Sequence, residues 1–537
     1  MLGEYLRERA AMTPDAPAVL ARGRPTLSYG GLFDQVARTV DVLNRAGYGR
    51  GDRIALALPP GPETTVAVLS VLAGCVCVPL NPGSSAAELG GLLSRSRVDA
   101  VVTLADYFSQ VMQKATELRI PVIDLVPAAG EAAGRFHLRI EARRHRAQTG
   151  FSNEHDLSAV FPTSGTTALP KLTALTQADI CCHGQRASRY LGLTPSDRCL
   201  GLLPPFYHCA TCASILSTIF AGGSGVYPSA MSVRHFLSWA REFRVTWCAA
   251  PPPFFTSLLA EIQGDSRDAA DLGLRTLFAC GGAHDEDVAA ALERIFRANF
   301  RNSYGATECG GIAINPVPPA VSKRGSVGIS VGPEIRIVDE SGESLPVGQL
   351  GEIVVRGPGV FRGYEADPGD NVDTFFDDWY RTGDQGYLDG DGYLFLTGRI
   401  KEIINRGGEK VAPLEIDEVL RSHPDIEDAA AFGVPHPVLG EDVAAAVVLK
   451  RAELGVDEIL RFASKRLTAF KVPRRLLIVP EIPKGPTGKV QRRRLAVLLA
   501  DELARAAQIG RPSRTSSSPT SDPGTGSRQR RGDPRLP

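Results

Sequence analysis

Residues 380–410 read YRTGDQGYLDGDGYLFLTGRIKEIINRGGEK. Apolar runs on either side of Asp389-Gly390-Asp391-Gly392 predict a β-hairpin closed by a tight turn. The stretch opens on Asp384 behind Gly383, leaves the hairpin at Arg399 and Lys401, and closes on Gly407-Gly408-Glu409-Lys410. A carboxylate, an arginine, two lysines and flexible glycines at this density predict chemistry; a solvated surface hairpin is the plain alternative.

Upstream of this stretch, strand-like runs alternate with helical ones. Residues 2–12 read as a helix, AVLA and TLSYG as strands, and 32–46 places Leu32, Val36, Val40 and Leu43 at helical spacing. RIALALPP, CVCVPLN and DAVVTL follow as strands, separated by helices over 64–73 and 86–95. This alternation predicts an α/β protein with largely parallel, doubly wound sheets. From about Arg324 the elements shorten (SVGISVG, EIRIVD, GEIVVRG), which predicts an appended β-rich subdomain. Beyond 402, helices over 412–422, 456–467 and 491–507 interleave with strands AAAFGVP, DVAAAVVLK and RRLLIVPEIP, a smaller α+β unit. The expected division is an N-terminal region over 1–398, a C-terminal domain over 399–508 and a disordered Ser/Pro/Gly/Arg tail over 509–537.

A chain of 537 residues is too long for one simple core. Its formal net charge of zero argues against a protein held to nucleic acid by phosphate contacts. The longest apolar run, 66–80, is broken by Ser70, Gly74 and Pro79 and suits a buried helix turning into a strand, not a membrane span. The ten cysteines are scattered, and the first residues, MLGEYLRERAAMTPDAP, carry acids and no apolar core, so a reduced cytoplasmic protein is expected. Cys209-x-x-Cys212 beside His208 lacks a second cysteine pair at zinc spacing and reads as small buried residues on a helix.

Four further segments carry chemistry. Residues 162–171, PTSGTTALPK, surround Gly165 with Thr163, Ser164, Thr166 and Thr167 and end on Lys171; hydroxyls, amides and one cation suit a polyphosphate. The Gly-Lys pair of a Walker loop is missing. Tyr304-Gly305-Ala306-Thr307-Glu308 offers an aromatic face, a close-approach glycine, a hydroxyl and a carboxylate, a set suited to an adenine ring, a substrate and a Mg²⁺ ion. Cys280-Gly281-Gly282-Ala283 follows strand RTLFA, and ligands collect at such strand ends in open α/β sheets. Near the C-terminal end, PKGPTGKVQRRRL puts Lys489 behind a glycine-rich turn.

Taken in order, TSGTTALPK, PPFYH, YGATE, YRTGD, GRIKE, GGEK and PTGK resemble the adenylate-forming superfamily over about residues 5–500, and the 398–435 run is most similar to acyl-CoA ligases of the oxalate–CoA ligase branch. The resemblance implies a mobile C-terminal domain and an ATP-dependent acid–thiol ligase that makes an acyl-adenylate and passes it to coenzyme A. It assigns residues 163–171 to the ATP phosphates, Tyr304 with Gly281, Gly282, Ala283 and Gly305 to adenine, and Thr307 to the α-phosphate. Glu308, with Thr166, takes Mg²⁺; Asp384 and Arg399 take the ribose. Lys489 bridges the acid and the α-phosphate, Lys401 is the hinge, and Gly407, Gly408 and Glu409 line the thiol tunnel. His208, with Ala210, Gly305 and Gly310, is implied for the acyl pocket.

Departures qualify the carry-over. Ala168 and Leu172 stand where the family commonly has glycine and stiffen the phosphate loop. The oxalate branch carries histidines where this chain has Ala210 and Gly311, so oxalate is not the expected acid; small residues at 210, 310 and 311 predict room for a larger one. Loading of an acyl carrier protein's phosphopantetheine thiol, or of another nucleophile, is the first alternative, and a nucleotide-binding homologue without turnover is the second.

Overall fold

The computed structural model describes residues 1–105, 110–141, 148–163, 170–262, 269–282, 284–365, 368–450, 454–484 and 490–503. Two large sheets organise its N-terminal part. The first has eight strands, in the order Tyr364–Glu365, Leu172–Thr176, Leu157–Pro162, Val76–Pro79, Arg53–Ala57, Ala100–Leu104, Val122–Pro127 and Phe136–Ile140, parallel in the middle and antiparallel at both edges. Central parallel strands need apolar cover on both faces. Helix Pro62–Gly74 supplies part of it: from Thr64 onward every residue is buried, and Gly74 lies so close to the helix Tyr29–Arg45 that an added Cβ would come 2.8 Å from Val40.

The second sheet has nine strands, running from Ile329–Ser330 through Gly310–Ile314, Asn299–Ala306, Thr276–Ala279, Trp247–Ala250, Arg198–Gly201, Ser224–Val226 and Pro17–Leu20 to Leu27–Ser28. The SVGISVG segment, expected in the β-rich subdomain, belongs here: Ile329 pairs with Ile314. Its neighbours face the other way, since Val327 N–H donates to Leu394 O and Gly328 bridges Leu394, so the segment staples the large sheet to the hairpin of residues 379–399.

That hairpin forms as its sequence predicts. Strand Trp379–Leu388 pairs antiparallel with Leu394–Arg399, and both sit in a five-stranded sheet with Glu334–Val338, Gly351–Arg356 and Phe375–Phe376. The Asp389–Gly392 turn is braced by Lys323, whose ammonium pairs with both Asp389 and Asp391.

The C-terminal sheet contains Glu409–Val411, Ile404–Arg406, Gly440–Leu449, Ile426–His436 and Arg475–Ile478. Its long strands are apolar through their middles, residues 429–434 and 443–447, because both faces are covered there. Ala429 and Ala431 point into a core with helices Pro413–Arg421 and Val456–Ser464, while Ala430, Phe432 and Val434 point to the face under Leu495, Leu499 and Leu503. The last helix begins as Arg492–Leu498, and helical turns continue over 500–503 after a break at Leu499; the rest of the expected 491–507 helix lies outside the described residues. Asp417 and Arg492 fasten it from inside: the Arg492 guanidinium pairs with the Asp417 carboxylate, donates to Ala431 O at 2.8 Å, and lies 3.3 Å from Glu402. The tail beyond 503 lies outside the described residues. Among those residues, no helix is long and apolar enough to cross a membrane.

Candidate active site

The strands that flank the polyphosphate-type segment, Leu157–Pro162 and Leu172–Thr176, pair antiparallel. Pro162 pairs with Leu172 across the two strands, and Thr163 N–H donates to Lys171 O at 2.8 Å, so Thr163 and Lys171 form the base of the segment. Arg95 donates to Pro170 O at 2.6 Å beside it. Ser164, Gly165, Thr166, Thr167 and Ala168 lie outside the described residues. Leu172 is fully buried in the core with Val78 and Val160, a packing reason for a large side chain where glycine was the expected neighbour of the lysine.

The Lys171 ammonium sits 4.3 Å from the centre of the Tyr364 ring, and the Tyr364 hydroxyl donates to Glu308 Oε1 at 2.6 Å. One phenol thus separates the cation of the loop from the buried carboxylate of the YGATE segment. Burial, reinforced by the Glu308 charge, pushes the Tyr364 hydroxyl well above the usual phenol range, so it stays a donor. Phe361 N–H donates to Glu308 O at 2.7 Å, which fixes the carboxylate's backbone as well. A buried carboxylate whose bond to Tyr364 uses Oε1, near the Lys171 cation, fits a Mg²⁺ ion bound together with phosphate oxygens. The sequence reading missed Tyr364; the pair Gly363-Tyr364 between two β segments was its only signal.

Tyr304, Asp384 and Arg399 come together. Strand Asn299–Ala306 turns back into Gly310–Ile314, and the Tyr304 hydroxyl donates to Asp384 Oδ2 at 2.7 Å. Asp384 stands opposite Arg399 in the hairpin register, with Arg399 Nε 3.0 Å from Asp384 Oδ1. That carboxylate raises the guanidinium pKa, with burial acting the other way. Gly383 takes φ +69°, and its N–H donates to Glu352 at 3.2 Å, which turns Asp384 inward from the strand. Gly305 is needed for the return of the chain: a Cβ there would lie 2.3 Å from Gly310 O. Thr307 is half-buried between Tyr304 and Glu308. At the end of strand Thr276–Ala279, Gly281 adopts φ +96°, and Gly282 O accepts from Asn302 at 2.9 Å; Ala283 lies outside the described residues.

His208 has a partner that the sequence did not reveal. Its Nε2 lies 2.9 Å from Nδ1 of His183, and His183 Nε2 lies 2.6 Å from Gly359 O. His183 comes from the helix Gln177–Tyr190, whose first turn is fixed by a Thr176–Asp179 capping box. Burial lowers both imidazole pKa values, His183 to about 4 and His208 well below the usual range. Cys212, in the π-helical segment Ala210–Leu216, brings a third ligand-type atom within 4.8 Å of the histidine nitrogens. The facing nitrogens of the two rings already serve one another, and burial keeps the Cys212 thiol protonated.

The expected room for a larger acid is not open at two of the three small residues. A Cβ at Gly310 would lie 2.7 Å from His183, and one at Gly311 2.9 Å from Tyr190, so those glycines accommodate buried neighbours. Ala210 is buried in the same core as Tyr190 and Phe278.

The remaining candidates lie on the C-terminal side. Lys401 is exposed on the turn Ile400–Glu402. Gly407, Gly408 and Glu409 form an exposed turn, with Gly407 N–H donating to Leu439 O at 2.8 Å. Lys489 lies outside the described residues, but its neighbour Val490 bridges Lys484, which closes the base of the PTGK loop.

Residues 6–365 match the AMP-binding enzyme family, and residues 415–489 match the AMP-binding enzyme C-terminal domain. The chain is 35% identical over 501 residues to a probable CoA ligase, CCL9, of Humulus lupulus, an alignment covering 91% of this chain and 95% of the relative. It is 33% identical over 512 residues to the oxalate–CoA ligase of Arabidopsis thaliana, covering 92% of this chain and 98% of that one. ATP-bound MatB from Rhodopseudomonas palustris shares the fold with a TM-score of 0.82 at 26% identity, over 93% of this chain and 99% of that one. With family matches to both the large region and the small domain, and relatives aligned almost end to end, the chain belongs to the AMP-binding enzyme family, the adenylate-forming enzymes.

Proposed function

We propose that this chain is an AMP-forming acid–thiol ligase that uses ATP, Mg²⁺ and coenzyme A as it converts a small carboxylic acid to its CoA thioester. The supporting observation is the contact series Lys171–Tyr364–Glu308, one strand turn away from Tyr304–Asp384–Arg399. In the first step a carboxylate oxygen of the acid attacks the α-phosphorus of ATP. The bond to pyrophosphate breaks, and an acyl-adenylate forms. In the second, the thiol sulfur attacks the acyl carbon, AMP leaves with the bonding pair, and the thiol proton goes to solvent.

Both reactants of the first step are anions, so the site must offset repulsion and the charge that builds at the α-phosphate. Lys489 and Thr307 act there; residues 163–171 hold the outer phosphates, and Asp384 with Arg399 holds the ribose. When bound at Glu308 and Thr166, Mg²⁺ neutralises phosphate charge and eases departure of pyrophosphate. The domain boundary near 398, with Lys401 as hinge, lets the small domain present Lys489 first and the Gly407–Glu409 turn second. Ten cysteines, none of them disulfide-bonded, suit a reduced cytoplasmic setting.

Tyr364→Phe keeps the ring under Lys171 and removes the hydrogen bond to Glu308 together with a longer contact, 3.4 Å, to the Tyr380 hydroxyl. It is expected to raise the Mg²⁺ concentration for half-maximal activity roughly tenfold, the scale of a hydrogen bond to a charged group, as read by magnesium titration of pyrophosphate release.

The function itself is tested with a panel of acids, from two-carbon diacids to aromatic acids, supplied with ATP and either free CoA or a phosphopantetheinylated carrier protein. Acid-dependent pyrophosphate release with thioester formation on free CoA is the expected result. Turnover only with carrier protein replaces the acceptor, and no pyrophosphate with any acid returns the chain to a non-catalytic nucleotide binder.

A further inference from the structure

We propose that His183 is a positioning residue that holds His208 in a single tautomer and ring orientation, with its proton on Nε2 and its lone pair on Nδ1. The inference rests on the reading above, in which His208 serves the acyl site.

The hydrogen-bond polarity follows from one fixed end. A backbone carbonyl only accepts, so the 2.6 Å contact to Gly359 O requires a proton on His183 Nε2. His183 is 2% exposed, and its ring is neutral because burial lowers its pKa to about 4. A neutral imidazole protonated on Nε2 has a bare Nδ1. That bare nitrogen lies 2.9 Å from His208 Nε2, so His208 must donate across the contact. The opposite tautomer of His208 would set two lone pairs against one another inside the protein. The proton positions are therefore dictated from Gly359 outward, through His183, to His208.

The surroundings of His183 are shaped to keep it still. Two glycines at positive φ, Gly310 and Gly359, pass so close that added Cβ atoms would lie 2.7 and 3.0 Å from its ring. Gly184, next to it on the helix, brings the backbone against the segment that follows His208: a Cβ there would lie 2.6 Å from Leu216. One turn along, buried Arg186 donates to Cys309 O at 2.8 Å, to Gly311 O at 3.1 Å and also to Pro358 O. This anchors the two chain segments that cradle the imidazole. His208 is held on its other side by Phe161, edge-on at 5.3 Å, and meets His183 at an interplanar angle of 82°. Gly359 also lies two residues before Phe361, whose N–H binds Glu308 O, so the histidine pair and the Glu308 carboxylate share one loop.

The experiment uses full-length protein labelled with ¹⁵N-histidine, read by long-range ¹H–¹⁵N correlation, in wild type, His183→Leu and His183→Asn, with His208→Gln to assign the signals. Leucine removes the acceptor. Asparagine keeps an oxygen where Nδ1 was and loses the bond to Gly359. The expected result is His208 protonated on Nε2 in wild type and H183N, and a mixture of tautomers in H183L. The KM for the acid should rise about tenfold in H183L, the scale of one lost hydrogen bond, recover in H183N, and leave the KM for ATP unchanged. A single unchanged His208 tautomer in H183L, or an equal rise of both KM values, would overturn the proposal. If H183L does not fold, a wild-type His208 protonated on Nδ1 overturns it, and an Nε2 proton retained in H183N supports it. A wild type that activates no acid would defeat the functional reading alone, since the tautomers are read without turnover.

Discussion

Lys489→Ala is expected to lower acid-dependent pyrophosphate release by roughly 10²–10³ while leaving thioester formation from supplied acyl-AMP and CoA near the wild-type rate. The adenylation step brings a carboxylate against a phosphate anion, and a positioned ammonium is the group that offsets the charge. The loop carrying it is closed at its base by the Lys484–Val490 bridge, and Arg492 ties the next helix turn to Asp417 and Ala431. Alanine therefore removes the charge without loosening the scaffold. In the proposed scheme the second step takes the opposite presentation of the small domain, with the Gly407–Glu409 turn at the thiol, and does not need this lysine. Equal loss of both half-reactions would contradict a division of labour between two domain positions.

Arg492→Met is expected to destabilise the C-terminal domain by about 3 kcal/mol, because it removes the nearer counter-charge of a buried carboxylate and leaves it with Arg421 at 3.7 Å. Asp417 is fully buried. Burial raises its pKa, and Arg492 acts against that rise. Its other oxygen accepts from Ala431 N–H at 2.6 Å, so the carboxylate cannot turn away to water. The double variant Asp417→Leu, Arg492→Met removes both charges and should recover much of the loss, as apolar replacements of buried pairs commonly do. Denaturant unfolding of the two single variants and the double, on full-length protein, gives the comparison. Arg492 also lies 3.3 Å from Glu402, next to Lys401, so the single variant should slow the thiol step as well.

Much of the fold was legible because local patterns and tertiary demands coincide. The 86–95 helix begins and ends where its sequence says, with Ser85 accepting from Glu88 N–H, and the Asp389–Gly392 turn is a hairpin turn with no further chemistry needed to explain it. The segment SVGISVG misled because a run of short strands does not state its partner; Ile314 and Leu394, one in each of two different sheets, claim neighbouring residues of it. Candidate residues in glycine-rich motifs could be named from the sequence because glycine, hydroxyl and charge together leave few structural readings. Tyr364, His183 and Arg492 could not. Each stands in an ordinary helix or strand pattern, and its meaning comes from a partner far away in the chain: Glu308, His208 and Asp417 respectively. The glycines at 310 and 311 show the same limit from the other side, since a missing side chain signals space but not what fills it.

The central claim, an acyl-adenylate resolved by a thiol, is tested most directly by supplying a free acid that the enzyme accepts, labelled with ¹⁸O at both carboxylate oxygens, together with ATP and CoA, and weighing the products. The account predicts one ¹⁸O in each AMP released and none in pyrophosphate. Unlabelled AMP, or label appearing in phosphate, would contradict it.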